Sequence, residues 1–381
     1  MKNICVFTSS RADFGILSNL LNEIKKSKKL NLNLVVTGSH LMKHFGSTIR
    51  EIKSLDINVD HEISIFKKNN TSTVQDFSQV LIKAKKYLSN SKPDIVIVLG
   101  DRYEIFSCAL AAFFLKIPIA HIHGGEVTSG SMDDSIRHSI TKISSLHFTP
   151  TLKTKKRLLQ LGENPKTIFI IGSISLDNLK NMQLLNKIEL EKLLRFQFNK
   201  KIILFTYHPE TKLQKINYQY VVKILEKIKK IKNSSLVITG TNFDQSYFFL
   251  KKKIIQFLKK NRNNVKYIES LGKKNFFSLM KISDCIIGNS SSGIIEAPHF
   301  KLFTINIGDR QNGREQAKSI FNSDLTLKSF TKTLNKVLTI KDKNKFFKNQ
   351  IYKSIGGSKK IVKVLENYNF RKLKNKFFYD L

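Results

Sequence analysis

The sequence predicts an α/β protein of two doubly wound parallel sheets, with an active-site cleft between the two lobes. Three observations carry that reading. Short apolar runs alternate with helical ones along most of the chain, few hairpin signals separate them, and the alternation lapses once, in the polar, leucine-bearing stretch from Leu176 to Lys200, before resuming at Ile202. A parallel strand buried on both faces is apolar throughout, and the return to its neighbour needs a crossover helix. Alternation without hairpins therefore points to sheets wrapped by helices on both faces. One lapse in 381 residues suits two domains of ordinary size.

In order, Ile4 to Thr8 is the first strand and Gly15 to Lys29 the helix after it, followed by a strand over Leu32 to Thr37. Asp94 to Leu99, rich in Ile and Val, reads as a buried strand, Glu104 to Leu115 as its helix, and Ile119 to Ile122, Leu146 to Thr149 and Ile168 to Ser173 as further strands. The scheme restarts with strand Ile202 to Thr206, helix Val221 to Ile231, strand Leu236 to Thr239, helix Phe248 to Lys260, and strands Val265 to Ile268 and Cys285 to Ile287. The lobes are accordingly Rossmann-like domains over 1–175 and 176–358, with a last helix in 359–381 packing back on the first.

Chemistry concentrates where strands end. Ile286-Ile287-Gly288-Asn289-Ser290-Ser291-Ser292-Gly293 breaks an apolar run into a small-residue turn, and the apolar spacing then resumes up to Glu296. Unpaired N–H groups at a helix start attract phosphate, and small residues let its oxygens approach the main chain. A tight strand-to-helix turn needs small residues in any case. In the first lobe one strand ends in Gly100-Asp101-Arg102-Tyr103-Glu104 and the next in His123-Gly124-Gly125-Glu126, shortly before Ser131-Met132-Asp133-Asp134-Ser135-Ile136-Arg137-His138. Carboxyl ends of strands are where open α/β sheets hold their ligands. The plainer alternative is that Asp101 and Asp133 or Asp134 cap the helices that follow.

These motifs in this order resemble the hydrolysing UDP-N-acetylglucosamine 2-epimerases of sialic and legionaminic acid biosynthesis. Thr8-Ser9-Ser10-Arg11-Ala12-Asp13-Phe14-Gly15, Val36-Thr37-Gly38-Ser39-His40-Leu41, Tyr207-His208-Pro209-Glu210-Thr211 and Gly308-Asp309-Arg310-Gln311-Asn312-Gly313-Arg314-Glu315 agree with the same family, so the likeness spans about residues 1–320. It implies a GT-B arrangement and a reaction in which UDP is eliminated from UDP-N-acetylglucosamine to leave a glycal. Water then adds with inversion at C2, giving N-acetylmannosamine and UDP. No metal and no redox cofactor is implied. Matched position by position, Asp101 and Asp133 are acid/base residues, Glu126 orients the sugar or Arg137, and His208 assists departure of UDP. Ser290, Ser291 and Gly293 take the pyrophosphate, Glu296 the ribose, and Arg11 and Arg314 the phosphates. Where relatives carry Glu, this chain has His123, so the imidazole is a further catalytic candidate with its own pKa range. The resemblance also admits a UDP- or GDP-2,4-diacetamido-2,4,6-trideoxy sugar as substrate. A GT-B glycosyltransferase would share the nucleotide cradle without needing the Asp101 and Asp133 pair. A homo-oligomer, dimer or tetramer, is implied as well.

Composition fits a cytoplasmic enzyme. No apolar run reaches the roughly 18 residues of a membrane span, and Ile4 to Phe7 is too short for a signal peptide. Cys5, Cys108 and Cys285 lie far apart without metal-ligand spacing, which predicts buried reduced thiols. The formal charge of +37 comes from lysine, since only 10 of the 66 basic residues are arginine, and the lysines are scattered through amphipathic segments. That distribution points to compositional bias instead of a specific nucleic-acid surface, and the resulting field would still help attract an anionic nucleotide-sugar.

Overall fold

The computed structural model describes residues 1–42, 49–54, 57–65, 72–129, 132–177, 179–209, 218–241, 247–261, 263–373 and 375–381. Ser131, Glu210 and Thr211, quoted in the motifs above, lie outside the described residues. The chain forms two units, one of Met1–Glu126, Met132–Lys180 and Tyr352–Leu381, the other of Val127–Ser131 and Asn181–Ile351.

The first unit runs β1 (Lys2–Thr8), α1 (Arg11–Lys26), β2 (Leu30–Thr37), α2 (Ile49–Ser54), β3 (His61–Ile63), α3 (Thr73–Ser91), β4 (Ile95–Leu99), α4 (Tyr103–Phe114), β5 (Ile119–Ile122), α5 (Met132–Ile143), β6 (Leu146–Thr149), α6 (Leu152–Gln160) and β7 (Ile168–Ile170). Its strands pair in the order β3-β2-β1-β4-β5-β6-β7, all parallel. Successive strand residues point to opposite faces. Ile4 and Val6 meet Leu17, Leu20 and Ile24 of α1 on one face, while Cys5 and Phe7 meet Ala84 and Leu88 of α3 and Cys108 of α4 on the other. Two covered faces explain the near-continuous apolar runs of these strands, such as residues 4–7 and Ile95–Leu99.

The second unit runs α7 (Lys187–Leu194), β8 (Lys201–Thr206), α8 (Tyr218–Lys229), β9 (Ser234–Thr239), α9 (Tyr247–Lys260), β10 (Val265–Ile268), α10 (Gly272–Ile282), β11 (Cys285–Gly288), α11 (Ser291–Ile295), β12 (Phe303–Ile307), β13 (Ile320–Ser323) and α12 (Leu327–Thr339). Its strand order is β10-β9-β8-β11-β12-β13, again all parallel. Ile203, Phe205 and Ile287 pack with Val221 and Leu225 of α8 and Phe330 and Leu334 of α12. In each sheet the order reverses beside the unit's first strand, between β1 and β4 and between β8 and β11. Such reversals are the ligand-binding crevices of open α/β sheets.

The chain's last helix, α13 (Gly357–Asn367), buries Ile361 and Leu365 in the layer that holds α1. Its C-terminal carbonyls are met by Lys2, whose Nζ donates to Leu365 O, Glu366 O and Tyr368 O at 2.9, 2.8 and 2.8 Å. α1 starts four residues earlier than its apolar spacing suggests, because Ser10 and Asp13 close a capping box. The three cysteines are buried and free. Burial pushes the Cys5 and Cys108 thiols up, and the Cys285 thiol to about 12.

Candidate active site

In the first unit the turn after β1 is organised by Asp13. Its carboxylate accepts from Ser9 N (2.8 Å), Ser9 Oγ (3.0 Å), Ser10 N (2.7 Å), Ser10 Oγ (2.8 Å) and Phe14 N (2.9 Å). Its carboxylate thereby ties the two residues before α1 to the helix's first turn. Arg11 is the first residue of α1 and half-buried at the same sheet edge. Gly38, after β2, has a left-handed φ of +62°, and a Cβ there would sit 2.5 Å from Ser9 O. The second strand end is thus pressed against the first turn.

Beyond β4, Gly100 takes φ +78° and delivers Asp101. The helix that follows has Arg102 at its N-cap position with no side-chain cap. Asp101 does not serve as that cap: it is in direct ion-pair contact with Arg137 of α5. Arg137 is 3% exposed and gathers the site, since its Nη1 also donates to Glu126 O at 2.9 Å and lies 4.0 Å from Asp134 Oδ1. Asp133 and Asp134 occupy the first turn of α5, where a carboxylate complements the helix dipole. Asp133 is half-buried, one helical turn before Arg137. His123 closes β5 with its N–H on Phe148 O (2.9 Å), its side chain buried and its φ at +66°. A left-handed conformation is uncommon for a residue other than glycine and concentrates at functional sites. Gly125 and Glu126 follow, and Arg157 Nη1 holds Gly125 O at 3.1 Å. Asp101, Glu126 and α5, which carries Asp133, are thus brought together through one guanidinium, which the family resemblance implied only as a partner of Glu126.

In the second unit Asn289 plays the organising part. It is fully buried, its Oδ1 accepts from His208 N at 2.7 Å and its Nδ2 donates to His208 O at 2.9 Å. Its own carbonyl accepts from Arg310 Nη1 (3.1 Å) and Gln311 Nε2 (2.9 Å). The turn after β8 that holds His208 is thereby fixed to the turn after β11. Gly288 permits that approach, since a Cβ at its φ of +143° would overlap the Thr206 carbonyl. Ser290 is the N-cap of α11 and accepts from Ser292 N at 3.3 Å. Ser291 is half-buried beside it. Gly293 faces the sheet, where a Cβ would lie 2.7 Å from Thr304 Cγ2, and its carbonyl accepts from Thr304 Oγ1 at 2.6 Å. Its smallness is explained by helix–strand packing. Glu296, buried, ends α11, and Arg314, half-buried, follows the turn after β12. The third residue into this helix is a glycine, where α1 has Asp13 closing a capping box. Among the described residues no cluster of three or more His, Cys, Asp or Glu is placed to hold a metal ion, and no helix is long and apolar enough to cross a membrane.

Comparison with known proteins converges on one group. Residues 22–366 match the family described as UDP-N-acetylglucosamine 2-epimerase. The chain is 41% identical over 326 residues, 85% of each chain, to the GDP/UDP-N,N'-diacetylbacillosamine 2-epimerase (hydrolyzing) of Campylobacter jejuni. It is 38% identical over 340 residues, 88% of this chain and 86% of the relative, to polysialic acid biosynthesis protein P7 of Escherichia coli. Its fold matches the crystal structure of UDP-GlcNAc 2-epimerase from Neisseria meningitidis bound to UDP-GlcNAc with a TM-score of 0.82, at 23% identity over 96% of this chain and 99% of that one.

Proposed function

The chain belongs to the UDP-N-acetylglucosamine 2-epimerase family, and from that membership we propose that it is a hydrolysing nucleotide-sugar 2-epimerase whose substrate is a UDP- or GDP-linked 2,4-diacetamido-2,4,6-trideoxy sugar. The observation that carries the choice of sugar is the 41% identity, over 85% of both chains, to a relative named for N,N'-diacetylbacillosamine. UDP-N-acetylglucosamine, which the motifs bring to mind first, is the second reading, favoured by 33% identity over 336 residues to a relative named UDP-N-acetylglucosamine 2-epimerase.

The reaction breaks the bond from C1 to the diphosphate oxygen, whose electrons leave with the nucleotide. The C2 proton goes to a base, and the C2–H electrons form the C1–C2 double bond of a glycal. Water then supplies oxygen to C1, and an acid returns a proton to the opposite face of C2. Asp101, whose carboxylate lies in ion-pair contact with the Arg137 guanidinium, is the base. Asp133, half-buried on the first turn of α5, is the partner that returns a proton, with His123 as an alternative donor and Glu126 as a holder of the sugar. For the nucleotide, the start of α11 with Ser290 and Ser291 takes the diphosphate, Glu296 the ribose hydroxyls, and Arg11 and Arg314 add positive charge. A protonated His208 stabilises the leaving diphosphate.

A proton NMR time course in D2O with UDP- and GDP-N,N'-diacetylbacillosamine and with UDP-N-acetylglucosamine tests the proposal. Release of nucleoside diphosphate together with a free, C2-deuterated 2-epimeric diacetamido sugar is expected, with slower turnover of UDP-N-acetylglucosamine. Faster production of N-acetylmannosamine would move the assignment to the second reading. An epimerised sugar still bound to nucleotide, or no turnover of any of the three, would refute hydrolytic epimerisation.

A further inference from the structure

We propose that His121 is a positioning residue of the acid/base cluster, its neutral ring fixing both the turn that projects Asp101 and the helix that carries Arg137 and Asp133. The ring is fully buried on β5, with Nε2 2.8 Å from Gly100 O and Nδ1 3.0 Å from Thr141 Oγ1. A carbonyl can only accept, so Nε2 carries the hydrogen. Nδ1 of a neutral ring is then an acceptor, and the Thr141 hydroxyl donates to it. Burial pushes the imidazole down to about 3, against the raising effect of the Gly100 hydrogen bond, which keeps the ring neutral at working pH.

Both backbone groups of Gly100 are consequently tied to β5, its carbonyl to the His121 ring and its N–H to Ile122 O at 3.1 Å. The next residue is Asp101, so its direction is set by those two bonds. Thr141 lies one turn beyond Arg137 on α5, so the other side of the ring anchors the helix that supplies the ion-pair partner. The loop bearing His123 and Glu126 passes directly over the pair. A Cβ on Gly124 would come within 2.8 Å of Thr141 Oγ1 and 3.0 Å of His121 Nδ1. One imidazole thus sets three segments whose side chains the chemistry uses.

The kinetic part of the test rests on the epimerase reading, while the spectroscopic part does not. His121→Gln can still bring an N–H to the Gly100 carbonyl; His121→Asn is shorter and reaches only towards Thr141. With native circular dichroism in both, the Gln variant should keep kcat within about threefold of wild type. The Asn variant should lose about 10- to 100-fold in kcat, with KM and UDP affinity within about twofold. An Asn variant as active as wild type, or a loss carried by KM, would overturn the proposal. In the ¹⁵N-labelled wild-type protein the His121 ring should show a protonated Nε2 and an unprotonated Nδ1 from pH 5 to 8. A ring that titrates in that range, or carries its proton on Nδ1, would overturn it equally. Should wild type turn over no nucleotide-sugar, the epimerase reading falls, and the ring's tautomer still decides the positioning contact.

Discussion

Asp101 and Glu296 stand on different units and have different work, so their substitutions should separate. Asp101→Asn keeps the shape of a side chain next to Arg137 but removes the basic oxygen, and a positioned general base is worth about 10²- to 10⁴-fold. Its kcat should fall by that order while UDP binds as before. Glu296→Ala should instead weaken UDP binding, by about tenfold if one charged hydrogen-bonding contact is lost. Calorimetric titration with UDP distinguishes them, and equal losses in both variants would refute the division of labour. A second residue-level property is acid sensitivity. Burial lowers the pKa of His121 to about 3 and lowers His40 and His147 as well. An unfolded imidazole keeps its ordinary value of 6.5. Between those values the unfolded chain binds more protons than the folded one, so stability is lost as pH falls from 6.5 towards 3. The slope reaches about 1.4 kcal/mol per pH unit for His121, and His40 and His147 add to it in the same direction. The urea midpoint should accordingly drop between pH 7.5 and 5.5; a constant midpoint would show that these rings are not held neutral.

The turn between β11 and α11 concentrates the same logic in one element. Asn289→Ala would leave the His208 N–H and carbonyl without the partners they have at 2.7 and 2.9 Å, costing about 1–3 kcal/mol and loosening the His208 turn. A lower urea midpoint with weakened UDP binding is expected, and Asn289→Asp, which retains the acceptor for His208 N–H, should recover part of both. The strands around this turn were legible in the sequence because both faces of each sheet are covered and the runs are apolar throughout. Others were not. β12 alternates Phe303, Ile305 and Ile307 with Thr304 and Asn306, whose side chains bond Gly293 O and Asn322 Oδ1, so the apolar run is broken by the site itself. α3 buries only Val80, Ala84 and Leu88 among its apolar residues and leaves Val74 and Ile82 exposed, which blurs its stripe. Of the candidate site, strand-end motifs gave the residues bearing reactive groups. Asn289 and His121 were silent because what each organises lies tens of residues away, His208, 81 residues distant, for the first and Gly100, 21 residues distant, for the second.

At the scale of the whole molecule the charge of +37 has to be accommodated. Some lysines are built into the fold: Lys2 closes the end of α13. Lys376 donates to Thr141 O, Lys142 O and Ser144 O at 3.2, 2.7 and 2.6 Å and pairs with buried Glu163 at 2.6 Å. The remainder cannot all be matched by acidic partners, because 66 basic residues face 29 acidic ones. Such an excess repels itself and destabilises the compact state, yet it also draws a nucleotide-sugar to the surface. Salt separates the two effects. The screening length falls from about 10 Å at 0.1 M to about 3 Å at 1 M, which silences exposed lysines and leaves buried pairs such as Lys376 and Glu163 largely intact. Raising sodium chloride from about 0.05 to 0.5 M should therefore raise the urea midpoint. It should also raise KM for the nucleotide-sugar and leave kcat nearly unchanged, since the acid/base groups are held by short-range contacts. A midpoint that falls with salt would mean that surface ion pairs outweigh the repulsion. A KM indifferent to salt would mean that the lysine field plays no part in capturing the substrate.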